Sequence, residues 1–576
     1  MTGRTAARAA LGCGVASVLG LAGTAALGDS AAVPGLGPGT VLPPWDVAAG
    51  PSSALVTALL AVAWTLAAAT VLLGLVALRR NGFGWDGRRT ALLAAAAVLA
   101  LVVVPPLGSA DHLSYAAYGR IMATGGDPYV TAPDSWRGGG DPVAGAVQPP
   151  WQSTTSVYGP VATAAQTLAA VVGDGSLRRT VWAWQVLAGL AFLGTGLALD
   201  RLAVTLARRR RGPGAGDDAA DDDEAGDDGN ARAATGHARA RVAVLWTLNP
   251  LLLGQLVLGA HVDVLAAAFA AGALALAVRR PFVAGALVAA AVATKAPFAL
   301  VGLALVWGVR QLPRRQALGH LAIGALGAGL VLLPAHLWTG PNTYDQLQRA
   351  SRFVSFATPW RLLVDQLDPL LGRGPVRSLV TPLAAVLAVA LAVLLARRVA
   401  ALLASSGARS TPTPTWWPSS GGRSTSEARS SVDDPPEDGA AMTRDAVAAL
   451  AVTSLGWVLT APYALPWYDC LAWLPLVLLA SSGLDLAMLG RLWVLALAYV
   501  PGRVVGMSPD VEAFTLGFRR HAAPWLTLAT LCWVVWWAAA SWRASASGRT
   551  HPAAPPGPSP SAGPAAGAPS RGAPGP

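Results

Sequence analysis

The sequence predicts an all-α polytopic membrane protein, a bundle of about 13–14 transmembrane helices with short interfacial helices in an outer-face loop. Of its 576 residues, 53% are hydrophobic and 13% are charged. Apolar runs of about 18–25 residues recur along the chain, which is the length that crosses a bilayer as a helix. A membrane-spanning β-barrel would instead show short segments of alternating hydrophobicity, and we find no such alternation.

The arginines indicate how these helices are oriented. The net charge is +11, and the arginines cluster at the ends of apolar runs, as expected for topology signals and not for nucleic-acid binding. Arg4 and Arg8 place the N-terminus inside, and the loop 29–53, which lacks Lys and Arg, is predicted outside. Alternating the sides of the membrane along the chain in this way predicts a multi-pass plasma-membrane protein. The predicted spans lie near 10–28, 54–78, 90–107, 181–205, 242–259, 262–279, 282–295, 298–311, 317–338, 378–399, 444–462, 467–484, 489–506 and 524–542.

We predict one membrane domain over residues 1–542, with an outer catalytic loop at 108–180. Within that loop, 158–173 is predicted to be interfacial or re-entrant, because a full span there would put the arginines at 208–211 outside. The inserts 208–240 and 404–441 and the tail 543–576 are rich in polar or small residues. They are predicted to be disordered and cytoplasmic, since they bury too little apolar surface to offset their ordering entropy.

Lys295 is the single lysine among 42 basic residues, and it lies within an apolar stretch. A charge at membrane depth costs about 2.5–3.5 kcal/mol on insertion scales and often marks a substrate path or an ion pair. The apolar pieces around it are too short for full spans, and Pro297 disfavours helical geometry at the residue before it. We therefore predict two short helices with Lys295 at their outer junction. Snorkelling of a helix-end lysine, or compositional chance, is the alternative.

The outer loop begins with a predicted short helix. Asp111, Tyr115 and Tyr118 are spaced to share one helical face, with Ser109 as a cap and Gly125-Gly126 as the end. The tyrosines are expected to face headgroups or a sugar. The alternative for Asp111 is a simple capping charge.

Two further polar residues, His261 and Asp263, lie at the mouth of a predicted span. Residues two apart on a helix point in nearly opposite directions, so both reach one site only if the helix begins at or after His261. The chain has no phosphate-cradling GxxxxGK[ST], no GxSxG, no HExxH and no paired-cysteine motif. A nucleotide-driven reaction, a metal site and a cofactor are therefore not predicted.

Several motifs carry a family resemblance. In chain order they are DHLSYAAYGR at 111–120, GGDPY at 125–129, VYGP at 157–160, GAHVD at 259–263, TKAP at 294–297 and ALPWY at 464–468. Together they resemble the actinobacterial polyprenol-phosphomannose-dependent α-1,6-mannosyltransferases, the MptA/MptB-like branch of the GT-C glycosyltransferases, over about 90–540. The family commonly reads His-Asn-Asp where this chain has His261-Val262-Asp263, so the middle amide is missing.

The resemblance implies an inverting hexosyltransferase that forms α-1,6 linkages on the outer face of the membrane. The donor would be polyprenyl phosphomannose and the acceptor a mannan or lipoglycan, with membrane lipid as the surroundings and no nucleic acid. Asp111 is the expected catalytic base, and Lys295 is the leading candidate for the phosphate cation, with an outer arginine as rival. The other expected substrate-binding residues are His261, Asp263, Tyr115, Tyr118, Arg120, Tyr158, Trp467 and Tyr468. Transfer of another lipid-linked sugar, or a lipid-linked sugar transporter or flippase, remains as an alternative.

Overall fold

The computed structural model describes residues 1–83, 86–208, 224–350, 352–405, 437–503 and 505–547. All regular structure in these residues is helical, and no strand occurs among them. The predicted all-α class is confirmed.

The helices of the first part of the chain are α1 (Gly3–Ala26), α2 (Ser53–Arg79), α3 (Gly87–Val102), α4 (Asp111–Ala123), α5 (Pro160–Gly173), α6 (Leu177–Arg208), α7 (Glu224–Val242), α8 (Pro250–Leu252) and α9 (Asp263–Leu276). Those of the second part are α10 (Pro281–Val292), α11 (Ala299–Val309), α12 (Arg314–Thr339), α13 (Asp345–Ala350), α14 (Trp360–Leu371), α15 (Arg373–Ser405), α16 (Glu437–Thr460), α17 (Cys470–Leu476), α18 (Gly483–Ala498), α19 (Pro509–Gly517) and α20 (Ala523–Ser547). Short 3-10 helices lie at Trp136–Gly139, Ala144–Ala146, Ala296–Phe298, Pro341–Tyr344 and Pro466–Asp469, and π-helical turns at Ala243–Thr247, Leu253–Leu258 and Phe518–Ala522.

The chain is a multi-pass membrane protein. Within the described ranges, 8 helical stretches are long and apolar enough to cross a bilayer, and they are Gly3–Ala26, Ser53–Arg79, Leu177–Ala207, Arg232–Leu258, Arg314–Thr339, Gly374–Ala404, Asp438–Thr460 and Pro509–Ala540. Shorter apolar helices occur at Pro160–Gly173, Asp263–Leu276, Pro281–Val292 and Ala296–Val309. Each segment predicted to span the membrane contains helix. Several of these helices are too short to cross alone, because turns such as the one at Lys295 interrupt them.

The structure describes helix in parts of the segments that were predicted to be disordered. Residues 224–240 belong to α7, residues 437–441 open α16, and residues 543–547 close α20. α7 is helical because its C-terminal part is held inside the bundle, where Arg241 donates to both carboxylate oxygens of Asp485 at 3.0 and 2.6 Å. The remaining residues of the two inserts and the tail (209–223, 406–436 and 548–576) lie outside the described ranges.

Backbone hydrogen bonds join two pairs of segments that are far apart in sequence. The backbone N–H of Leu107 donates to the carbonyl of Leu258 at 3.3 Å, which joins the loop after α3 to the turn before α9. The N–H of Val161 donates to the carbonyl of Ala293 at 2.9 Å, which joins the start of α5 to the break after α10. Segments far apart in sequence are therefore placed side by side, and they carry most of the predicted site residues.

Candidate active site

Asp111 opens α4 and is held in place by the turn before it. Gly108 takes a positive φ of 86°, and the Ser109 hydroxyl then accepts the backbone N–H of Asp111 at 3.1 Å. A carboxylate in the first turn of a helix is stabilised by the helix dipole. The Asp111 side chain remains 19% exposed, so that it is accessible to a ligand while being largely desolvated.

His261 lies just before α9, which begins at Asp263 and so meets the condition for both residues to reach one site. Its Nδ1 lies 2.5 Å from the carbonyl oxygen of Gln255, which can only accept, so Nδ1 carries the proton. In the neutral ring Nε2 then accepts the Ser109 hydroxyl at 3.1 Å. Asp111 Oδ2 is 3.8 Å from the same Nε2, beyond hydrogen-bonding distance. The Asp111 carboxylate therefore forms no hydrogen bond with His261 and stays available to accept a proton.

The predicted break at Lys295 is confirmed. α10 ends at Val292, Lys295 is extended with φ −151° and ψ 118°, and a 3-10 turn follows at Ala296–Phe298. The Lys295 ammonium donates to both carboxylate oxygens of Asp263, at 2.6 and 2.7 Å. Its Nζ also lies 3.6 Å from the centre of the Tyr468 ring, at cation–π distance. Lys295 is therefore a paired charge between a carboxylate and an aromatic face, and its charge is already compensated.

Aromatic rings surround these charges. The Tyr115 ring packs against Tyr158 at 5.1 Å and against Trp184 at 5.3 Å between centroids. Trp467 stacks on His261 with centroids 3.5 Å apart and planes within 13°. Tyr115 and Trp467 are almost fully buried. The α4 tyrosines were expected to face lipid headgroups or a sugar. Tyr115 packs inside the protein because α5 and α6 cover this face of α4, so its contact with a sugar stays a prediction.

Comparison with known proteins identifies the family of this chain. Residues 11–212 and 231–311 match a family profile described as alpha-(1->6)-mannopyranosyltransferase, N-terminal domain. The chain belongs to this family. No curated protein and no solved structure was found to match it.

The family makes this protein an α-1,6-mannosyltransferase. The matched ranges contain Asp111, His261, Asp263 and Lys295, whereas Trp467 and Tyr468 lie beyond them. The structure brings those two aromatic residues onto His261 and Lys295 respectively. The cluster is thus built from the matched part of the mannosyltransferase and one turn from its C-terminal half.

Two predicted residues, Arg120 and Tyr118, bind the loop after α4, and Tyr118 also contacts the cluster, with its ring centroid 6.4 Å from that of Tyr158. The Arg120 Nε donates to Asp141 Oδ2 at 3.0 Å, and the N–H groups of Val143 and Ala144 donate to the other carboxylate oxygen, both at 3.0 Å. Burial opposes ionisation of Asp141, but these bonds outweigh it and lower its pKa. Tyr118 donates its hydroxyl to the carbonyl of Thr154 at 2.8 Å. Arg120 and Tyr118 thus hold the loop 124–159 against α4.

The surroundings of Asp111 raise the pKa of its carboxyl group. α4 lies outside the spanning stretches, and burial raises the pKa of Asp111 to about 6, with Lys295 opposing this shift and Asp263 adding to it. A general base works best when its pKa lies close to the operating pH, so that it is ionised yet still binds a proton. At neutral pH the Asp111 carboxylate meets both conditions.

Sequence reasoning missed several residues that shape the candidate site. The Trp184 indole donates to the carbonyl of Ala260 at 2.7 Å and thereby holds the turn before His261. Tyr499 packs edge-on against Trp467 at 5.1 Å. The buried Asp469 accepts from Arg491 at 3.1 and 3.2 Å and so anchors the turn that carries Trp467. Trp184, Tyr499 and Arg491 lie within or directly after apolar runs, where no sequence signal distinguishes them from core residues.

Proposed function

We propose that this protein transfers mannose from polyprenyl phosphomannose to a mannan or lipoglycan acceptor on the outer face of the plasma membrane, with inversion to an α-1,6 linkage. The observation that carries the proposal is a desolvated carboxylate, Asp111, placed beside His261 and the Asp263–Lys295 pair within a wall of aromatic rings. The count of arginines in the loops supports an outward-facing site.

The reaction needs one base and one leaving group. Asp111 takes the proton of the acceptor hydroxyl while that oxygen attacks C1 of the mannosyl group from the face opposite the phosphate. The C1–O bond breaks, and its electron pair leaves with the polyprenyl phosphate. Inversion at C1 converts a β-linked donor into an α-linked product. No second protein nucleophile is required, because acceptor attack and leaving-group departure occur in one displacement.

The remaining cluster residues are proposed to bind sugar. Both Asp263 oxygens already accept from Lys295, yet a carboxylate has about four acceptor positions and can also accept from sugar hydroxyls. Lys295 orients this carboxylate through its two hydrogen bonds to Asp263. The faces of Tyr158 and Tyr468 provide apolar surface for the mannose ring. His261, whose tautomer is set by Gln255, positions Ser109 and the start of α4.

The test is transfer of labelled mannose from purified polyprenyl phosphomannose in membranes that contain equal amounts of each variant. We expect Asp111→Asn to lower the transfer rate by about 10²–10⁴-fold, since general-base catalysis contributes a factor of this size. The matched control is Asp174→Asn, because the Asp174 side chain is 85% exposed and lies 3.6 Å from Arg179. Full activity in correctly inserted Asp111→Asn protein would refute the base assignment.

A donor panel in the same membranes tests the substrate. Polyprenyl phosphomannose should support transfer, and polyprenyl phosphates that carry glucose or arabinose should not. Movement of the lipid carrier across the bilayer without formation of a glycosidic bond would support the transporter alternative instead.

A further inference from the structure

Two adjacent arginines occupy the π-helical turn Phe518–Ala522, which joins α19 to α20. The Arg519 guanidinium lies 4.6 Å from the centre of the Tyr499 ring, and that of Arg520 lies 4.6 Å from the centre of the Phe356 ring. Neither arginine has a carboxylate within ion-pairing distance in the part of the chain that the structure describes. The neighbouring Arg361, by contrast, is paired with Asp365.

Both arginines lie over the same aromatic ring, that of Phe356. Arg519 lies 5.9 Å from the centre of Phe356 and Arg520 lies 4.6 Å from it. On a regular α-helix, adjacent side chains diverge by about 100°. Here the two arginines lie in a π-helical turn, and both of their guanidinium groups approach the Phe356 ring. Such turns are often found at functional sites. A guanidinium packed against a ring keeps its N–H edge free for a planar or tetrahedral anion. Two such cations without a counter-charge form an anion site.

Aromatic contacts connect this anion site to the catalytic cluster. Arg519 packs on Tyr499, Tyr499 packs on Trp467 at 5.1 Å, and Trp467 stacks on His261 at 3.5 Å. Tyr463, in the loop after α16, packs beside Tyr468 with ring centroids 6.1 Å apart. Burial raises the pKa of Tyr463, Tyr499 and the Asp111 charge add to this shift, and the Arg519 charge opposes it. The two arginines thus lie at the same end of the bundle as the base, across a layer of aromatic side chains.

Charge balance decides which cation receives the phosphate of the donor. The Lys295 ammonium is 13% exposed and is already bound by both oxygens of Asp263. Binding a phosphate there would compete with that carboxylate and bring two anions together. At Arg519 and Arg520 no carboxylate has to be displaced. A preorganised cation stabilises the negative charge of the leaving phosphate. At Arg519 and Arg520 it does so without competition from a described carboxylate.

We propose that Arg519 and Arg520 form the binding site for the phosphate group of the lipid-linked sugar donor. The phosphate oxygens accept hydrogen bonds from the two guanidinium edges, and the sugar extends past Tyr499 and Trp467 toward Asp111. This assignment rests on the proposed function for the identity of the donor, but the anion site itself is defined by the two arginines.

Binding of polyprenyl phosphate and of uncharged polyprenol to the purified detergent-solubilised protein tests the anion site without catalysis. We expect the parent protein to prefer the phosphate by about 10- to 100-fold, as lost charge-assisted hydrogen bonds of this kind typically cost. The Arg519→Gln/Arg520→Gln variant should lose this preference. Arg137→Gln is the matched control, because Arg137 is an exposed arginine that also lies over an aromatic ring, Trp136, at 5.5 Å. Equal discrimination in parent and double variant would overturn the proposal, as would its absence in the parent.

Kinetics then separate this proposal from the proposed function. With polyprenyl phosphomannose as donor, the double variant should raise the donor KM about 10-fold or more and leave the acceptor KM unchanged. If the parent discriminates the phosphate but transfers no mannose, the anion site stands and the proposed function fails. If transfer occurs and the donor KM is unchanged in the double variant, the proposed function stands and the arginine assignment fails. Single Arg519→Lys and Arg520→Lys variants, which keep the charge, should recover part of the binding.

Discussion

The Lys295–Asp263 ion pair provides the most informative perturbation. Its atoms are 2.6 Å apart, and the side chains are only 13% and 2% exposed. At an effective dielectric constant of 20, two unit charges at that distance attract each other by about 6 kcal/mol, against which stands the cost of desolvating both. Removing one partner leaves the other charge buried and uncompensated, which typically costs about 3–5 kcal/mol.

A double-mutant cycle measures this coupling. We expect Asp263→Asn and Lys295→Met each to destabilise the protein by about 3–5 kcal/mol, and the double variant to be destabilised by less than the sum, leaving a coupling of about 3 kcal/mol or more. The assay is the free energy of unfolding in mixed micelles. The cycle on Arg310 and Asp445 is the control, because that pair is also close, at 2.7 Å, but its side chains are 37% and 28% exposed. Its coupling should stay at or below about 1 kcal/mol.

Equal couplings in the two cycles would refute the reasoning, because they would show that the Lys295 ammonium is solvated like a surface charge. A Lys295→Met variant as stable as the parent would have the same meaning. It would also restore the alternative that this single lysine reflects composition alone.

Two further outcomes follow from the geometry of α4. Because burial raises the pKa of Asp111 to about 6, mannosyl transfer should rise with pH through about 6 and level off above it, since only the ionised carboxylate accepts a proton. A pH–rate profile that stays flat from pH 5 to 8 would contradict this assignment. Gly119→Ala should lower activity and destabilise the protein by about 1–3 kcal/mol, because its Cβ would lie 2.1 Å from the backbone oxygen of Gln166 on α5. Gly12→Ala, whose Cβ meets nothing within 4 Å, should leave the melting temperature unchanged or raise it.

Local features of the site were readable from the sequence because they depend on neighbouring residues. The start of α4 at Asp111, its end before Gly125, and the break at Lys295 follow from glycine, proline and capping preferences within a few positions. The inserts contain helix that their composition did not predict. Composition alone argues for disorder around 224–240, whereas the Arg241–Asp485 contact, 244 residues apart in sequence, holds the end of α7 in the bundle.

The partners of the charged residues depend on contacts that no local pattern contains. Lys295 was predicted to be the cation for the donor phosphate, with an outer arginine as rival, and the structure pairs it with Asp263, 32 residues earlier. Arg120 was expected at the substrate, but it binds Asp141. Arg519 and Arg520 carried no sequence signal that distinguished them from topology arginines. They become candidates because Phe356 and Tyr499 lie beside them and no described carboxylate does.

The amino-acid sequence by itself determined the helical membrane class and the order of the motifs that identify the family. The length of each apolar segment and the arginines at its ends determine whether and in which orientation it spans the bilayer. Both are properties of the single segment and do not depend on tertiary contacts. The tertiary structure alone decided which charges are compensated and which remain available to a substrate. Compensation requires two groups within about 4 Å, and in this bundle such groups come from helices far apart in sequence that only packing brings together.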